Sequence, residues 1–85
     1  MMNIALVSPQ ETLYTGQADE VMVRTTCGDV KILPGHAEYL AEIGEGNLKI
    51  RIHDRIICGK TTKGIIYTNK SSVSLMLFEP YEITT

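Results

Sequence analysis

Leu48-Lys49-Ile50-Arg51-Ile52-His53 alternates apolar and polar or cationic residues with a period of two. Successive side chains of a strand point to opposite faces, so Leu48, Ile50 and Ile52 share one side and Lys49 and Arg51 the other. The same pattern recurs on both sides of this stretch. Upstream, Glu20-Val21-Met22-Val23-Arg24 places Val21 and Val23 together, and Val30 and Ile32 share a face across Lys31. Asn3 to Val7 is a short apolar run that Pro9 ends or pushes to an edge. Downstream, Asp54-Arg55 predicts a tight hairpin loop into Ile56-Ile57-Cys58. Ile65-Ile66-Tyr67-Thr68 is β-branched and aromatic, and Val73, Leu75 and Leu77 share one face before Pro80 stops the ladder.

The punctuation between these runs is equally regular. Cys27-Gly28-Asp29, Gly44-Glu45-Gly46-Asn47 and Asn69 to Ser72 read as turns. Leu33-Pro34-Gly35-His36 predicts a type II turn, because proline presets the first central position and glycine supplies positive φ at the second. Within Thr12 to Ala18, Gly16 predicts a bulge or a close backbone approach. Ala37 to Ile43 fits either a short helix or an irregular strand, and Tyr81 to Thr85 either a loose edge or a frayed end. About eight to ten short strands with regular turns predict an all-β fold, a sandwich or a barrel. No linker or repeat divides the chain, so residues 1–85 read as a single domain.

Composition narrows the function. The 85 residues are 44% hydrophobic and 21% charged, with a net charge of −2. That is the balance of a globular domain rather than a disordered one, and it lacks the basic footprint expected of a nucleic-acid binder. No apolar run approaches a membrane span, which predicts no direct membrane insertion, and the N-terminus has no signal-peptide pattern. Without tryptophan and with one phenylalanine, the core is expected to be aliphatic. A chain this short has little room for a substrate pocket. Charge is unevenly spread. Acids dominate Met1 to Leu48 and bases dominate Lys49 to Lys70, which predicts either differently solvated faces or a polarised surface between two partners.

No local motif carries chemistry. Cys27, His36, His53 and Cys58 are metal-ligand types but lack the close pairing of zinc sites, so they read as small core thiols and surface imidazoles, and no metal or cofactor is expected. No nucleophile elbow and no phosphate-cradling glycine loop occurs. Asp19-Glu20 reads as a solvated strand edge rather than an acid/base pair. Lys49, Arg51 and Arg55 lack the interleaved aromatics of a single-strand binder. His36, after a Pro-Gly turn, is either a turn residue packed on its loop or an interface contact.

Asp29-Val30-Lys31-Ile32-Leu33-Pro34-Gly35-His36-Ala37 resembles the signature of the epsilon subunit of the rotary F-type ATP synthase. The opening Leu6-Val7-Ser8-Pro9 with Leu13-Tyr14 and Gly16, the strand Leu48 to Ile52 after Gly46, and the closing Val73 to Leu77 are similar to that family too, so the resemblance runs from about Asn3 to Phe78. It departs at Lys31, where a small residue is usual, and at Thr62-Lys63-Gly64, where a Gly-Gly doublet is usual. The resemblance implies a flattened β-sandwich of two five-stranded sheets. It implies a non-catalytic rotor subunit at the foot of the central stalk, on the cytoplasmic face of the bacterial inner membrane, helping couple proton or sodium flow to ATP synthesis. Its partners would be the gamma subunit and the polar loops of the c-ring. Asp29 and Lys31 fall at the c-ring position; Ser8, His36 and Ala41 fall where the family meets gamma. The helical hairpin that senses ATP in longer members has no counterpart in these residues, so no C-terminal helical domain and no inhibition by that route are expected. The competing readings are a stand-alone β-sandwich adaptor and a small metal-binding domain or enzyme using His36, His53 and the cysteines.

Overall fold

A computed structural model describes residues 1–84. The alternating runs become β1 (Met2–Val7), β2 (Thr12–Ala18), β3 (Glu20–Thr25), β4 (Gly28–Ile32), β5 (Tyr39–Ile52), β6 (Arg55–Thr61), β7 (Lys63–Thr68), β8 (Ser72–Phe78) and β9 (Glu82–Thr84). The described residues contain no helix. Ala37 to Ile43, open between two readings from sequence, enters strand β5 at Tyr39. In the tail, Glu82–Thr84 form β9, which pairs with β6 at the sheet edge, while Thr85 lies outside the described residues.

The main departure is at Gly44 to Asn47. These residues do not turn; they are the middle of the 14-residue strand β5. The first half of β5 pairs with β7, from Tyr39↔Thr68 to Ile43↔Gly64. The second half pairs with β6, from Gly46↔Thr61 to Ile52↔Arg55. Strand β3 pairs with both halves, and its register shifts between Val23 and Thr25. β5 therefore crosses from one layer to the other. One layer runs β2-β1-β8-β7-β5 and the other β4-β3-β5-β6-β9. Nine strands supply ten positions because β5 serves twice.

The glycines permit the crossing by close approach rather than by turning the chain. A Cβ on Gly46 would lie 2.6 Å from Arg24 Cβ and 2.8 Å from its Cγ. A Cβ on Gly44 would lie 3.3 Å from the Thr25 carbonyl carbon. The Arg24 stem thus crosses directly over the β5 backbone. By contrast, the Pro34-Gly35 turn forms as expected: His36 N–H donates to the Leu33 carbonyl at 3.1 Å, and Gly35 has φ +86°.

The two layers close on one aliphatic core. Met2, Ile4 and Leu6 of β1 meet Val73, Leu75 and Leu77 of β8, Ile66 of β7, Val21 and Val23 of β3, and Leu48 and Ile50 of β5, all buried. Buried threonines are satisfied within it. Thr61 Oγ1 donates to the Gly44 carbonyl at 2.8 Å, and Thr25 Oγ1 to the Gly28 carbonyl at 2.8 Å.

The uneven charge is partly cancelled across strands. Arg51 pairs with Asp19 at 3.6 Å and with Glu20 at 3.7 Å. Asp19 also accepts the His53 N–H at 2.9 Å, tying the β2–β3 corner to the β5–β6 hairpin. Basic and acidic stretches distant in sequence are neighbours here, not opposite poles.

Gly46→Ala should force the Arg24 stem aside and cost roughly 1–3 kcal/mol, as overpacking of a fitted site does. A lower urea midpoint with an unchanged slope is the expected result, and an unaltered midpoint would show that the crossing tolerates a side chain.

Candidate functional site

The outward face of the β2-β1-β8-β7-β5 layer carries an apolar patch among polar residues such as Asn3, Lys63 and Ser74. Strand register puts Leu40 opposite Tyr67, and Tyr67 opposite Ser74. In the next row Glu42 stands opposite Ile65, Ile65 opposite Met76, and Met76 opposite Val7. Leu40 is 68% exposed, Ile65 44%, and Tyr67 and Met76 37% each. Scattered exposed apolar residues are ordinary, but a contiguous set on one rigid face marks an interaction surface. An open groove of ≈ 510 Å³ adjoins it, lined by Thr26, Cys27, Tyr39, Leu40, Ala41, Glu42 and Ile65.

The 33–38 loop is fixed to the border of this face. Gly35 N–H donates to the Lys70 carbonyl at 3.1 Å. His36 Nδ1–H donates to the Ala37 carbonyl at 2.6 Å, and its ring meets Tyr39 edge-on with centroids 6.0 Å apart. The Tyr67 hydroxyl donates to Glu38 Oε2 at 2.6 Å. That hydrogen bond, with desolvation and the Glu38 charge behind it, raises the Tyr67 phenol above its ordinary value.

A second surface lies on the outer side of the other layer. Arg24 and Asp29 are register partners across β3 and β4, and Arg24 Nη1 lies 3.2 Å from Asp29 Oδ1. Lys31 is exposed opposite Met22. Arg24, Asp29, Gly46, Asn47 and Lys49 line a shallow groove of ≈ 380 Å³. The ion pair is largely exposed, so its energetic contribution is small.

Comparison with known proteins decides what kind of molecule has these surfaces. The family model described as "ATP synthase, Delta/Epsilon chain, beta-sandwich domain" matches residues 1–77. The chain belongs to that family. It is 33% identical over 76 residues to the ATP synthase epsilon chain of Frankia casuarinae, covering 88% of this chain and 89% of the relative. It is 32% identical over 75 residues to the epsilon chain of Leptospira borgpetersenii, covering 88% of this chain and 59% of that one. The chain thus spans nearly all of one relative and well under two thirds of the other. Its fold is similar to a chain of the Euglena gracilis mitochondrial ATP synthase OSCP/F1/c-ring structure, with TM-score 0.83, 16% identity, and coverage of 89% of this chain and 49% of that one. A chain of the Tetrahymena thermophila mitochondrial ATP synthase central stalk/c-ring structure gives TM-score 0.79 at 15% identity, covering 92% and 63%.

Against the family resemblance, the five residues assigned from sequence fall into two groups. Asp29 and Lys31 share the outward side of edge strand β4. His36 and Ala41 flank Leu40 on the border of the apolar face, but Ala41 turns inward and packs against the core. Ser8, which follows Val7 at the far end of the face, is only 6% exposed. Its hydroxyl is used inside the β1–β2 turn: Oγ accepts from Glu11 N–H at 3.2 Å and Gln10 N–H at 3.3 Å. Sequence reasoning missed Leu40, Ile65, Tyr67 and Met76. The available signal was Ile65-Ile66-Tyr67, which is apolar on both faces of a strand that has only one core to fill.

Among the described residues, no group of three or more His, Cys, Asp or Glu side chains is arranged to hold a metal ion. Cys27 and Cys58 are free and exposed rather than packed in the core. Cys27 sits at the β3–β4 turn and Cys58 lies opposite Lys49 on the outward side of β6, so neither position faces inward.

Tyr67 should titrate later than an ordinary phenol. Because its folded value is raised, its contribution to stability is complete below the ordinary phenol range near about pH 10 and is lost as pH rises through the raised value. Ultraviolet titration should show one late component that Tyr67→Phe removes and that Glu38→Ala, which deletes the acceptor, moves earlier. A single uniform tyrosine transition in the wild type would contradict this.

Proposed function

We propose that this chain is a non-catalytic rotor subunit of the central stalk of a rotary ATP synthase. It joins the gamma subunit to the c-ring and helps couple ion translocation to ATP synthesis. The contiguous apolar face of Leu40, Ile65, Tyr67, Met76 and Val7 is the observation that carries this reading. Such a face on a closely packed sandwich is built to bind a protein rather than to enclose a substrate. Family membership supplies the partner class, because the relatives are named ATP synthase epsilon chains. The fold neighbours come from assemblies named for their c-ring and central stalk.

In this reading the apolar face docks on gamma, with His36 and Ala41 at its border and Ser8 acting by shaping the β1–β2 turn beside Val7. Asp29 and Lys31 on the β3–β4 hairpin meet the polar loops of the c-ring. The chain works as a peripheral component at the cytoplasmic face of the bacterial inner membrane; no described helix is long and apolar enough to cross a bilayer. A sandwich of this kind suits a rotor because packed interiors have low compressibility and transmit strain.

Replacing Leu40 and Ile65 together by glutamate should abolish co-purification with gamma while the isolated chain keeps its thermal midpoint. Both side chains are exposed, and exposed substitutions typically change stability by within about 0.5 kcal/mol. Retained co-purification would remove the docking role from this face. Asp29→Lys in the reconstituted complex should lower ATP-driven proton pumping per ATP hydrolysed. Unchanged pumping would return Asp29 to a purely local role as the partner of Arg24.

A further inference from the structure

We propose that the partner element on the apolar face is an amphipathic helix whose apolar stripe is flanked by lysine or arginine on the side next to β5. This rests on the docking role proposed above and adds the chemistry of the partner.

The face offers apolar side chains on a paired sheet. Its apolar residues lie in the interior of paired strands, where backbone donors and acceptors are taken up by the ladders. The face therefore presents side chains and no free hydrogen-bonding edge, which favours a helix laid on the sheet over an added strand. Adjacent same-face rows are about 7 Å apart along a strand and neighbouring strands about 5 Å apart, so two rows across β5, β7 and β8 match a helix roughly 10 Å wide.

Charge then orients the helix. Glu42 is exposed in the same row as Ile65. Glu38 is held beside Leu40 and Tyr67 by the Tyr67 hydroxyl. Among the described residues neither carboxylate has a cation within 4 Å, and the acids that do are Asp19, Glu20 and Asp29 alone. The opposite border, on β2, carries Thr12 and Thr15. Lys63 opens β7 on the same outward side, one row beyond Ile65, and Lys70 follows the strand in the next turn. The β5 border is thus the acidic side of an otherwise apolar face, and a helix with a basic flank there satisfies both carboxylates at the rim. Rim charges act chiefly on encounter rate and orientation.

The test uses the full chain and a gamma-containing F1 subcomplex from the same ATP synthase, prepared without this chain. Association and dissociation are measured across a salt series for the wild type, Glu42→Lys and Glu38→Gln. Glu38→Gln keeps an acceptor for Tyr67 and removes only the charge. Glu42→Lys should slow association roughly tenfold at low salt, with the gap closing at high salt and dissociation little changed. Glu38→Gln should give a smaller change in the same direction. Association rates and salt dependence equal to wild type would overturn the basic-flank proposal while leaving the docking role intact. Failure of the wild type to bind the subcomplex would overturn the docking role, and this proposal with it. A stable homodimer that the subcomplex does not dissociate would assign the face to a second copy and also overturn the proposal.

Discussion

The two layers of this fold are joined through the backbone hydrogen bonds of β5. Its first half is paired with β7, its second half with β6, and β3 runs against both. The strand spans the two layers because its middle can lie directly beneath its neighbours, with the Arg24 stem on Gly46 and the Thr25 backbone on Gly44. Without that close approach the layers would need a separate connection, and Thr61 could not reach the Gly44 carbonyl between them. The aliphatic core follows from this arrangement. Inward residues of both halves, Ile43 on one side of the crossing and Leu48 and Ile50 on the other, are buried in one cluster.

The two outer faces then acquire different characters from a single rule of alternation. On the layer that contains β6 and β9, the outward positions carry mainly charges beside Met22 and Ile56, with Arg24–Asp29 and Arg51–Glu20 paired across strands. On the layer that contains β1 and β8, the outward positions of β7 and β8 carry Ile65, Tyr67 and Met76. The 33–38 loop closes one border of this second face through the Tyr67–Glu38 hydrogen bond and the Gly35 contact to Lys70.

The strands were largely legible in the sequence, since alternation such as Leu48 to Ile52 reports a local preference that tertiary packing reinforced. Pro34-Gly35 was legible for the same reason: its two residue types fix two backbone angles. Gly44 to Asn47 was misread because glycine marks both turns and close approaches, and only the neighbouring Arg24 distinguishes them. The candidate site was less legible. Ser8 was assigned to a partner contact by the family resemblance, and its hydroxyl is spent within its own turn. Leu40 fitted a helical face with Ile43 as readily as the outward side of a strand. Its partners Tyr67 and Ile65 lie more than twenty residues away and become neighbours only through the β5–β7 register.

The crossing strand also has a mechanical consequence. The hairpin that carries Asp29 is bonded through β3 to β5, and β5 continues without a break to Leu40. A sideways pull on the hairpin along the strand direction therefore loads the rungs of the β3–β5 ladder together, in shear, rather than opening them one after another. Such a pull would reach the apolar face along the β5 backbone, past the register shift between Val23 and Thr25. In engineering terms the domain is a rigid key, and β5 is the shaft of that key.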